Sequence, residues 1–124
     1  MEATDTVFTT GIIDKQVYSR LIVFDDPIFL QEITHVFTNQ SIVYLEQLDQ
    51  AFGKKDFLEI RKILHNLQSS CGTVGASKMV ASILKIRALA KAEEVKNMAV
   101  FIKQLKSNYN ETTEALNHLV SVLK

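Results

Sequence analysis

At 124 residues the chain can fill one hydrophobic core and is too short for two, and with 47% hydrophobic residues burial can drive its folding. Four glycines and one proline are too few for the many turns of an all-β fold, so long helices are expected. Fourteen basic residues balance fourteen acidic ones, which argues against bulk electrostatic binding to nucleic acid or to an anionic membrane. The single cysteine, Cys71, allows no internal disulfide and fits a reducing compartment. No apolar run approaches the roughly 18–20 residues of a membrane span, and acidic Glu2 and Asp5 stand where a secretory leader would be cationic. A soluble, intracellular, single-domain helical protein is expected.

In chain order, residues 1–13 are expected to form a flexible lead and residues 14–124 a single folded unit. A short helix is predicted from about 14 to 24, with Val17, Leu21 and Phe24 on its apolar side. Asp26-Pro27 is a strong helix start, because aspartate caps free N–H groups and proline fits the first helical position. From there Phe29, Leu30, Ile33, Val36, Phe37, Tyr44, Leu48 and Ala51 carry a stripe of helical period that Gly53 should end. Asp56 and Glu59 form an aspartate version of the capping box ahead of the next helix. That helix has apolar residues at 60, 63, 64, 67, 71 and 74 and breaks at Gly75. Ser77 is placed to cap a further helix with Met79, Val80, Ile83, Ile86 and Ala90 inward, and the last helix runs from Val95 to Leu123 with a soft boundary near 91–95. The class is therefore all-α: an antiparallel four-helix bundle with a short additional N-terminal helix.

His65 lies on the wrong side of its helix to hold the protein together. At about 100° per residue it sits roughly 150° from the centre of the apolar stripe, facing water. Arg61 and Lys62 precede it by one turn, while small Ser69 and Gly72 follow at one and two turns, so the imidazole stands clear in a positive frame. An imidazole titrating near neutrality is a nucleophile at physiological pH, and attack on an acyl phosphate needs an accessible ring nitrogen, room, and nearby positive charge. Gln68 adds a neutral amide donor on the same helix. Leu58, with Ile28, Ile42 and Leu45 from the preceding helix, falls off the core stripes, and Leu58 and Leu45 are the expected docking contacts for a partner. There is no phosphate-cradling Gly-rich loop, Walker lysine or kinase motif, so the chain shows a way to carry a phosphoryl group and none to take one from ATP.

The run His65-Asn-Leu-Gln-Ser-Ser-Cys-Gly-Thr-Val-Gly-Ala76 resembles the signature of histidine-containing phosphotransfer (HPt) domains, in the plant-type stand-alone form where serine-rich residues precede Val-Gly-Ala. The resemblance covers roughly residues 14–120, including the Phe24-Asp-Asp-Pro27 entry, the helix to Phe52 and the Ile102–Tyr109 segment. It implies that His65 is the phosphoacceptor, through Nε2, in a relay from a receiver-domain aspartate of a hybrid sensor kinase to a response-regulator aspartate. It further implies no cofactor of the chain's own and no kinase activity, Mg²⁺ being held by the receiver, with Gly75 and Ala76 forming the turn after the active helix. A monomer is expected, cytoplasmic, with nuclear entry open to a chain this small. Two departures stand out: Gln68 replaces the usual lysine and Ser69 the usual glycine. Arg61, Lys62 and Lys78 are the candidates to compensate.

The alternative is a decoy or adaptor bundle that docks receivers without passing phosphate. A metal enzyme is disfavoured: Glu32-Ile-Thr-His35 is a single Glu-x-x-His, and Ile33 inward turns both ligands outward. The Glu114/His118 pair reads as a surface contact. Cys71 and His65 face different ways on one helix and make no catalytic pair.

Overall fold

Three aspartates open three of the helices in the computed structural model, which describes residues 2–123. Asp14 accepts from the N–H groups of Gln16 and Val17 at 2.8 and 3.3 Å and starts α2 (Lys15–Ile22), after α1 (Glu2–Thr9). Asp26 accepts from Ile28 and Phe29 at 3.0 and 3.2 Å and starts α3 (Pro27–Gly53), with Pro27 in its first turn. Asp56 accepts from the Glu59 N–H at 3.1 Å and starts α4 (Phe57–Val74). The expected capping box is one-sided, because the Asp56 N–H donates instead to the Ala51 carbonyl at 2.9 Å. No side chain caps α5 (Ser77–Lys91): Ser77 is its first residue, and its hydroxyl donates to the Gly75 carbonyl at 3.2 Å. The chain closes with α6 (Val95–Leu123).

The long helices α3 to α6 form a closed ring, α3 and α5 each packing against both α4 and α6. The connections are only residues 54–56, 75–76 and 92–94, so successive helices must reverse direction, giving the antiparallel four-helix bundle. Left-handed residues make these turns. Gly75 takes φ 75°, while at the α3 end Lys55, not Gly53, is left-handed (φ 53°), and Glu93 (φ 55°) turns the last joint. Polar ties fix the register. The Asn108 amide donates to Ser82 Oγ at 2.7 Å and to the Lys78 carbonyl at 3.2 Å, binding α6 to α5, and the Tyr109 hydroxyl donates to the Thr38 carbonyl at 2.9 Å, binding α6 to α3. Among the described residues no helix is long and apolar enough to cross a membrane.

Two short helices, not one, precede the bundle. Where a flexible lead is expected, α1 packs against α6; its Val7 is 8% exposed and Ile13 beyond it is fully buried. In sequence α1 carries only Val7 and Phe8 as large apolar residues, adjacent and at its end, so there is no period to read. α2 packs on α4, and its buried residue is Tyr18, absent from the predicted stripe and tilted against Phe8 at 6.5 Å, while Phe24 is 67% exposed beyond the helix end and meets Phe29 edge-on at 5.1 Å.

The α3 stripe is rotated from its prediction. Its buried line runs through Leu30, Thr34, Phe37, Ser41, Leu45 and Leu48, leaving Val36 55% exposed. Thr34 is admitted because its hydroxyl donates to the Leu30 carbonyl at 2.8 Å. Leu45 is therefore a core residue, 7% exposed, and its assignment as a docking contact is corrected.

Candidate functional site

α4 owes its orientation to its inner face. Ile60, Leu64, Leu67, Cys71 and Val74 are fully buried in the bundle, which leaves His65 outward on an exposed turn in the middle of the helix. Leu58, Arg61, Lys62, His65 and Asn66 of α4 line an open depression of roughly 380 Å³ with Arg87 of α5. Leu58 is 60% exposed at its edge, as the helical count predicts. Among the described residues no carboxylate pairs with Arg61, Lys62 or Arg87, whereas Lys78 is bound to Glu111 at 3.1 Å and Lys106 to Asp49 at 2.7 Å. Lys78 thus reaches towards α6 and does not line the depression at His65.

Gln68 reaches sideways to α5. Its carbonyl Oε1 accepts from Arg87 Nη1 at 2.6 Å, and both residues are half-buried. Ser69 is exposed one turn beyond His65, and its hydroxyl donates back to the His65 carbonyl at 3.3 Å, so its hydrogen is occupied along the helix. Gly72 is exposed as well, and a Cβ built there would have no neighbour within 4 Å. Neither packing nor φ demands glycine at 72; its effect is to keep the outer face low.

Gly75 is different. Its left-handed backbone ends α4, a Cβ there would come within 3.0 Å of Val17 Cβ, and its carbonyl accepts from the Asp14 N–H at 2.7 Å. The start of α2 is thus seated on the end of the active helix, with Ala76 fully buried beside it. On the α3 side, a separate, mostly apolar cleft of roughly 260 Å³ lies between α3 and α4, bounded by Phe29, Glu32, Ile33, Val36, Phe37, Gln40, Ser70 and Thr73; His65 does not line it.

Burial pushes the Cys71 thiol up to about 12, making it a core filler and a poor nucleophile. Helical counting on α4 alone misses Arg87, since its proximity depends on how α5 packs on α4. The available signal is its place next to buried Ile86, at the edge of the α5 stripe, where a long side chain reaches a neighbouring helix.

The model of the Hpt domain family matches residues 32–119. Histidine-containing phosphotransfer protein 4 of Arabidopsis thaliana is 26% identical over 112 residues, covering 87% of this chain and 88% of its own. A maize histidine-containing phosphotransfer protein superposes with a TM-score of 0.87 at 17% identity, over 98% of this chain and 99% of that one. HptB of Pseudomonas aeruginosa superposes with a TM-score of 0.80 at 15% identity, over 89% and 95%. With the family model matching residues 32–119, well over half of the chain, this chain belongs to the Hpt domain family.

Proposed function

We propose that the protein is a phosphorelay intermediate: His65 takes a phosphoryl group from an aspartyl phosphate on the receiver domain of a hybrid sensor kinase and passes it to the receiver aspartate of a response regulator. One observation carries this role, an imidazole on the solvent face of a rigid helix beside Arg61, Lys62 and Arg87, none of them neutralised by a carboxylate among the described residues. In the forward step the unprotonated Nε2 of neutral His65 attacks phosphorus as the P–O bond to the aspartate breaks. The electron pair of that bond stays with the carboxylate oxygen, the N–P bond forms, and the ring proton remains on Nδ1. From the resulting N-phosphoryl imidazolium, neutral imidazole is a good leaving group, so attack by a second receiver carboxylate returns the P–N electron pair to Nε2 and reverses the same bond changes.

No general base is needed on this chain, and the receiver would supply the Mg²⁺ that offsets charge on the phosphoryl group. The lack of a nucleotide-phosphate loop in the sequence supports a carrier without kinase activity. Leu58 offers an apolar contact beside the histidine, and Ser69 and Gly72 leave room for the receiver to approach. The protein acts in this role as a cytoplasmic monomer, small enough to enter the nucleus.

The test is incubation with a radiolabelled, phosphorylated receiver domain, beside a His65→Gln control. Acid-labile, alkali-stable label on the wild type and none on the variant is expected. Receiver binding without label would replace the carrier with a docking decoy; neither binding nor label across several receivers would leave only an adaptor bundle.

A further inference from the structure

We propose that the cleft between α3 and α4 binds a small arylalkyl amine, a flat apolar body carrying one protonated nitrogen. The inference goes beyond the phosphotransfer role and does not depend on it, because the cleft shares no lining residue with the depression at His65.

The cleft follows from an imbalance of side-chain size. On the α3 side it is walled by Phe29, Ile33, Val36 and Phe37, the i, i+4, i+7, i+8 spacing of one helix face. Opposite them α4 offers only Ser70 and Thr73. Small polar side chains facing large apolar ones leave roughly 260 Å³ open, the volume of about eight water molecules at ~30 Å³ each. Phe37 is buried, Phe29 and Ile33 are half-buried, and water held against these walls is favourably replaced by an apolar group. Drug-sized ligands occupy about 300 Å³ or more, so the occupant is smaller: one or two fused rings and a short arm. A flat ring suits the walls, since Phe29 and Phe37 offer aromatic pairing beyond the area they bury.

The charge of the ligand is set by Glu32. It stands on the same face of α3, one turn from both Phe29 and Val36, and no lysine, arginine or histidine lines the cleft. Glu32 is exposed and makes no ion pair among the described residues. His35 shares a neighbouring shallow groove with it and stays outside the cleft. Farther along α3, the Ser70 hydroxyl donates to Gln40 Oε1 at 3.4 Å, a neutral pair that brings no charge. An anion in the cleft would meet the Glu32 carboxylate as a like charge, and a neutral ligand would leave it unanswered. An ammonium over an apolar body matches both features.

The test is NMR on the isotope-labelled full chain, titrated with phenethylamine and tryptamine. Phenethyl alcohol and phenylacetate serve as the neutral and anionic counterparts. Saturable amide shifts confined to residues 29–40 and 70–73 are expected for the amines, with millimolar dissociation constants and the tighter binding for tryptamine. The alcohol should bind about threefold more weakly than phenethylamine, the worth of one exposed ion pair, and the acid more weakly still. Glu32→Gln should erase the preference for amine over alcohol and leave thermal unfolding unchanged. Thr73→Leu, at an exposed position, should fill the cleft from the α4 side and abolish binding of every probe. No saturable shifts with either amine, or shifts centred elsewhere on the bundle, would overturn the site. Equal binding of amine, alcohol and acid, or an amine preference that survives Glu32→Gln, would overturn the ligand class. None of these readouts involves phosphate on His65, so failure of the relay and failure of this site are told apart.

Discussion

Gly72 is an unforced glycine. It lies inside a helix, exposed, with open space where a side chain would stand, so it weakens α4 by about 1 kcal/mol relative to alanine and gains nothing in packing. Gly72→Ala is expected to raise the unfolding temperature and to weaken docking of a receiver. Unchanged docking in that stabilised variant would place Gly72 outside the partner's footprint. Cys71, on the opposite face, should stay unmodified by thiol reagents near pH 8 until the protein unfolds, because burial holds its thiol up at about 12. Since the folded thiol titrates above its ordinary value of 9.0, its contribution to stability is whole below that pH and is lost as pH rises towards about 12. Native-state modification at pH 8 would contradict this burial.

At the scale of elements, α3 and α4 show when a stripe can be read by eye. On α4 nearly every buried position is apolar, so the inner face, the outward histidine and the exposure of Leu58 follow from spacing alone. On α3 the buried line passes through Thr34 and Ser41, and a stripe drawn through apolar residues only is rotated away from it, which misplaces Val36 and Leu45. Leu45→Ala should therefore cost about 2–3 kcal/mol in chemical denaturation and spare docking per folded molecule, while Leu58→Ala should do the reverse. Arg87 and the fate of Lys78 were not legible for another reason: each depends on which helix packs beside it, and period on one helix carries no such information. The turn after α4 was legible because its glycine has a backbone cause. Gly75→Ala is expected to destabilise the fold by about 1–2 kcal/mol, from the left-handed φ and from the closeness of Val17, whereas Gly53→Ala should be tolerated. Equal effects of the two would contradict that distinction.

Across the whole molecule, zero net charge conceals a local arrangement. Lys78 and Lys106 are spent on ion pairs that tie α6 to α5 and to α3, and Arg61, Lys62 and Arg87 are kept for the face that carries His65. The closed ring of helices makes that face rigid, because α4 is held by α3 on one side, α5 on the other and α2 at its end. A partner thus meets a preformed surface, with charge at the histidine and apolar contact beside it.

The most direct test of this account is a pulse and chase at His65. The protein is labelled by a phosphorylated receiver, freed of it, located by mass spectrometry, and mixed with a second, unphosphorylated receiver and Mg²⁺. Label on His65 alone, then its departure as acyl phosphate appears on the second receiver, is the predicted result. Label on another residue, or label on His65 that no receiver can remove, would contradict a relay carrier.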